Sequence, residues 1–165
     1  MWRASLILPL LLLTSCTTVY LFQPPEIAHS SGVPGWPREQ VRLTVEDVRP
    51  NPEESAEVLK VTEGAVRSLL ADQPPTASGL YRMEVRLLAH RATFETGNPF
   101  WSGATAFQVR VFEPLGTLWR EWSIGGASRK WNWWGYWTAR SVSDEAFERA
   151  VTDLRLRMIG NPLPR

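Results

Sequence analysis

A single cysteine bounds what this chain can become. Cys16 is the only one among 165 residues. No intrachain disulfide and no zinc site built on cysteines can therefore hold the fold. A hydrophobic core must do so, and the 150 residues beyond position 15 suffice for one domain with such a core.

The residues before Cys16 are of a different kind. Arg3 supplies a positive charge, Leu6 to Leu13 is apolar but for Pro9, and Thr14 and Ser15 are small. Spanning a bilayer takes roughly 20 apolar residues, so this run is too short. Charge, short apolar run and small residues are the three parts of an export signal. Leu13-Thr14-Ser15-Cys16 resembles the lipobox of bacterial lipoproteins. In that family the preceding segment is removed and the cysteine receives three acyl chains. The resemblance implies a signal peptide at 1–15, lipidation at Cys16 and a domain held on a membrane. By the enterobacterial sorting pattern, Thr17 in place of Asp implies the outer membrane, with the domain facing the periplasm. The rival reading is an uncleaved anchor from Ala4 to Phe22. Thr14, Ser15, Thr17 and Thr18 weigh against it, and no positive flank follows.

Arg3 is the only charge in the first 15 residues, so 17 basic and 17 acidic residues remain beyond it. That balance argues against nucleic acid as a partner, which demands a basic surface.

Residues 16–40 read as the lipidated cysteine and a flexible tether. Pro24, Pro25, Pro34 and Pro37 mix with Gly32, Gly35, Ser30 and Ser31 without a period. A single domain is expected over 41–160, with a tail at 161–165. Val41, Leu43 and Val45 alternate with polar residues, as in a half-buried strand. Asn51-Pro52-Glu53-Glu54 suits a helix start, and Val58, Leu59, Ala65, Val66, Leu69 and Leu70 supply its apolar stripe. Strands follow at Tyr81 to Leu87, at Phe107 to Val111 and at Leu118 to Ile124. Glu113-Pro114-Leu115-Gly116 is the turn between the last two, and Gly125-Gly126 closes the last. A final helix is expected from Ser141 or Ser143, with Ser141 and Asp144 as a capping box. Phe147, Val151, Leu154 and Met158 would form its inner face. The order βαβββα predicts an α+β two-layer sandwich: a mostly antiparallel four-stranded sheet with two amphipathic helices on one face. This order, behind a lipobox, resembles small envelope lipoproteins of the YajG type, lipopolysaccharide-assembly accessory lipoproteins and auxiliary lipoproteins of lipid transporters. The likeness is one of element order, and it transfers no active-site residue.

No catalytic constellation is legible. His29 falls in the expected tether, and His90 is read as an exposed residue at a strand end. There is no HExxH, G-x-S-x-G, P-loop or G-x-G-x-x-G. Helix-start electrostatics accounts for Glu53 and Glu54, and the neighbours Glu46 and Asp47 point to opposite faces of a strand. The expectation is a non-enzyme without metal or cofactor. Carboxylates brought together by folding are the route by which a hydrolase would arise instead.

One segment stands out: Arg129, Lys130, Trp131, Trp133, Trp134, Tyr136 and Trp137, within nine residues. As extended chain it would put rings on both faces, more than one core can take. Either the rings plug the end of the core, or they form a binding surface. Phe100 and Trp101, after Gly97-Asn98-Pro99, would share the same end of a three-stranded meander. These nine residues are the candidate partner-binding set. The occupant is read as another envelope protein, as a cell-wall glycan such as peptidoglycan stacked on the tryptophans, or as the lipid interface, where rings sit at headgroup depth and Arg129 and Lys130 would meet phosphates. A parallel pairing of the first two strands through a helical crossover would bring the tether in at the opposite end.

Overall fold

The computed structural model describes residues 16–28, 31–50, 55–75 and 79–164. The expected signal segment, His29 and the expected helix start at Asn51 to Glu54 lie outside them. In chain order the elements are β1 (Thr17–Tyr20), β2 (Val33–Pro37), a 3₁₀ turn (Arg38–Gln40), β3 (Val41–Asp47), α1 (Ser55–Arg67), β4 (Leu70–Ala71), β5 (Tyr81–Glu95), β6 (Phe100–Phe112), β7 (Leu118–Trp131) and α2 (Tyr136–Gly160).

The molecule is an α+β sandwich. A mostly antiparallel sheet of five strands packs both helices against one face. Strands β5, β6 and β7 form the expected meander, with Arg82 opposite Phe112 and Phe100 opposite Trp131. The turn at Glu113–Gly116 closes as expected: Gly116 donates to the Glu113 carbonyl at 2.8 Å and takes a φ of 90°, which glycine tolerates. Strand β3 lies parallel to the first half of β5, Val41 beside Tyr81.

The order is βββαββββα. The expected βαβββα is contained in it, and the three added strands come from segments read as loop or helix. β1 pairs antiparallel with the second half of β5, Thr17 opposite Glu95 and Tyr20 opposite Ala92. It shares that edge with β3. β2 and β4 form a separate parallel pair. The described residues of the 16–40 segment are therefore not a tether. Phe22, Val33 and Trp36 are buried, and the Trp36 indole donates to the Met158 carbonyl at 2.9 Å. A membrane span reaching Phe22 would strip β1 from the sheet. The C-terminal tail is docked too: Leu163 is buried and donates to the Gly35 carbonyl.

Three elements run longer than their sequence pattern indicates. β5 continues to Glu95 through a bulge between Leu87 and Ala89. β7 runs through Gly125 and Gly126, because α2 rests there: a Cβ on Gly126 would strike the Ala146 carbonyl, and one on Gly103 the Val142 carbonyl. α2 starts at Tyr136, so Ser141 and Ser143 lie inside it and form no cap.

The main core gathers Val85, Phe107, Val109 and Val111 from the sheet with Val66 and Leu69 from the α1 side. Phe147, Leu154 and Met158 come from α2. Each such side chain contributes about 1.5–3 kcal/mol on burial. A smaller core of Phe22, Ala92, Trp101, Ala139 and Val142 occupies the end of the sandwich where β5 meets β6. Among the described residues no helix is long and apolar enough to cross a membrane.

Candidate functional site

The smaller core is the floor of the candidate site. Two turns build its rim. In the first, between β5 and β6, Asn98 donates to the Glu95 carbonyl at 2.9 Å, and its side-chain oxygen accepts from Phe100 N–H at 3.2 Å. The second turn, residues 132–135, joins β7 to α2. Its hub is Asn132, whose side-chain oxygen accepts from the Trp101 indole and from Gly135 N–H, both at 3.0 Å. Asn132 N–H donates to the Pro99 carbonyl at 2.8 Å, linking the turns. Thr138 folds back so that its hydroxyl accepts from Trp134 N–H at 3.2 Å, which ties the turn just ahead of the helix to its first turn.

The rings divide into floor and surface. Trp101 is 4% exposed. It is a core residue with its N–H already used, so it does not belong in the candidate binding set as a contact. Phe94 and Tyr20 lie against it, with centroids at 5.1 and 5.4 Å. Phe100 is half-buried between Trp131, edge-on at 5.1 Å, and the Arg129 guanidinium, 4.2 Å above its ring. Trp133, Trp134 and Trp137 are 75%, 78% and 72% exposed, and Tyr136 and Trp131 about half. The cluster is a surface, not a plug.

Its geometry differs from the two-faced extended segment expected. The chain leaves β7 at Trp131, turns, and presents Tyr136 and Trp137 from the first turn of α2. Trp131 and Trp133 are tilted by 41°, and Tyr136 and Trp137 stand at 81°. Between the tryptophans, Lys130 and Ser141 lies an open groove of about 420 Å³. All six exposed aromatic side chains among the described residues sit at this end, with Val19 and Leu21 beside them.

Charge here is balanced. Lys130 bonds Ser141 at 2.7 Å and pairs with Glu145 at 3.1 Å, and Arg140 pairs with Asp144. Hydrogen bonds from Ser128 and Lys130 hold the Glu145 carboxyl below its usual range. Arg129 touches Asn98 and the Phe100 face, with no carboxylate partner among the described residues.

The chain begins its described course at this same end. Cys16 is exposed, and its carbonyl is held by Thr96 in the β5–β6 turn. The expectation that the chain comes in opposite the aromatic end is overturned. Strand β3 does start at the far end, but β1 precedes it and runs antiparallel to β5 from the aromatic end.

His90 is not an exposed strand residue. It is 1% exposed, with Nδ1 at 2.9 Å from the Thr105 hydroxyl and Nε2 at 3.2 Å from the Ser143 hydroxyl. Burial, with Arg49 and Arg140 nearby, lowers its pKa to about 4. A serine beside a histidine has the outline of a nucleophile and base. Here Ser143 is fully buried and the ring holds a proton too weakly to serve as a base near neutral pH. The trio is a polar tie between α2 and the sheet. Asp47 and Arg49 form a second buried tie, paired at 2.7 Å. Among the described residues no three His, Cys, Asp or Glu side chains converge as a metal site would require.

No protein-family model matches the chain, and no curated protein matches it in sequence.

Proposed function

We propose that this chain is a non-catalytic, lipid-anchored protein of a bacterial envelope that engages another envelope component through its aromatic end. The anchor follows from the lipobox resemblance, the location from Thr17. The observation that carries the engagement is the exposure of Trp133, Trp134 and Trp137 on a rim braced by Asn132. A domain that leaves three indoles in water on a hydrogen-bonded turn has a rigid apolar surface ready for a partner. The tilted rings offer no flat row for stacked sugars, so a glycan is the weaker occupant. Neither a cofactor nor nucleic acid is part of this reading.

Metabolic palmitate labelling of the wild type against Cys16→Ala, with membrane fractionation, tests the anchor. Label and membrane association in the wild type alone are expected. An unlabelled wild-type protein overturns the reading. Co-sedimentation with purified peptidoglycan tests the weaker occupant, and strong binding there would replace the preferred one.

A further inference from the structure

Pairing of β1 with β5 starts at Thr17, one residue after Cys16, and the Cys16 carbonyl is bonded by both the N–H and the hydroxyl of Thr96. Whatever holds the Cys16 side chain therefore holds the β5–β6 turn within a few residues' reach. That turn is braced to the tryptophan turn by Asn132 and Pro99. We propose that the component met by the aromatic end is the bilayer itself. Trp133, Trp134 and Trp137 rest at headgroup depth in the membrane that holds Cys16, and the domain stands flush on it. The inference rests on the reading above that Cys16 carries the anchor, and it names what the aromatic end meets.

Three observations favour lipid over a protein partner. The first is slack: a partner seated on the tryptophans would have to fit between the domain and a membrane only one residue away, or else peel β1 from the sheet. The second is side-chain type. Indole has an apolar body and one donor, and tryptophan gathers at headgroup depth for that reason. The Trp101 donor is used internally, whereas no partner within the described residues takes those of Trp133, Trp134 and Trp137. Ring tilts that would spoil a sugar platform are harmless in a disordered interface. The third is the fringe. Val19 and Leu21 add aliphatic surface beside Tyr20 on the strand leaving Cys16. Arg129, without a carboxylate partner among the described residues, faces the same end over Phe100, where it suits a lipid phosphate. The paired Lys130 and Arg140 add no net charge, so the rings rather than electrostatics dominate.

The test uses full-length protein purified from membranes and reconstituted into vesicles of phosphatidylethanolamine and phosphatidylglycerol with brominated acyl chains, which quench indoles at the interface. Mass spectrometry of the same sample reports acylation and the state of residues 1–15. The expected result is loss of somewhat over a third of the tryptophan emission, since three of the eight tryptophans beyond Ser15 would lie at interfacial depth. The variant Trp133→Ala/Trp134→Ala/Trp137→Ala should lose almost none while keeping its acylation and its circular dichroism. An acylated, vesicle-bound protein whose emission is unaffected overturns this inference and leaves the anchor standing. Protection of the cluster by a second copy, seen as a cross-linked dimer, or by an uncleaved segment 1–15 gives that same unquenched result and overturns it equally. A chain with neither acyl group nor vesicle binding instead sinks the reading on which the inference rests.

Discussion

Thr96 grips Cys16 twice: its N–H and its hydroxyl both donate to the Cys16 carbonyl, at 3.0 and 2.8 Å. This clasp sets where β1 begins. Thr96→Val keeps the shape and removes one bond. It should cost about 1 kcal/mol, felt mainly as local fraying. Hydrogen exchange at Thr17 to Tyr20 should quicken about fivefold, with little change in global melting.

Two kinds of tryptophan at one end of the molecule should respond oppositely to truncation. Trp101→Ala removes a buried ring and its bond to Asn132, and should cost about 3–5 kcal/mol. Trp133→Ala/Trp134→Ala removes exposed rings and should cost about 1 kcal/mol or less. Urea denaturation checks both. Similar losses in the two would mean that the exposed cluster is part of the core.

Glycine positions separate close approach from chain flexibility. Gly126→Ala drives a methyl into the α2 backbone at Ala146 and should destabilise by about 1–3 kcal/mol. Gly64→Ala lies on an exposed face of α1 with nothing within 4 Å of the new methyl. It should stabilise by up to about 1 kcal/mol. Thermal melts of the two variants should move in opposite directions.

Acid should weaken the fold through His90. Its folded pKa is depressed from 6.5 to about 4 by burial and by Arg49 and Arg140. Above pH 6.5 the ring is neutral in both states and the contribution is whole. Below that, the unfolded chain takes up a proton that the folded chain refuses, so stability falls progressively until about pH 4. The loss amounts to about 3 kcal/mol. His90→Gln should flatten this leg, and the difference between the two stability-versus-pH curves isolates it from the carboxylates.

Where an element's pattern is local, the sequence declares it. The alternation in Val41 to Val45 and Tyr81 to Leu87, and the stripe on α1, predict elements that are present. The misses share a physical cause: the deciding contact is distant in sequence. Thr-Thr-Val-Tyr is too short to announce a strand, and only β5 makes it one. Trp36 sits among Pro34, Gly35 and Pro37 and looks like linker, yet Met158 claims its indole. The bulge after Leu87 shifts the alternation by one residue, which hides the second half of β5 and puts His90 in the interior. Gly125-Gly126 looks like a stop because the helix that needs a bare Gly126 lies some twenty residues on. For the site, the aromatic composition is visible in the sequence. Its exposure, the removal of Trp101 from the surface and its place beside Cys16 all depend on β1 and Asn132.

The register of the meander has a geometric corollary. If Cys16 stands at the bilayer, the long strands run away from it, and each pair of facing residues becomes a mark on a gauge of altitude. Trp131 opposite Phe100 reads ground level, and Leu118 opposite Phe112 reads roughly 40 Å at the usual rise per residue. The summit is the Glu113–Gly116 turn, where Leu115 is almost wholly bare and Leu80 and Leu118 are exposed nearby. A neighbour arriving from the aqueous side would meet that leucine-tipped crest first, and the tryptophans not at all.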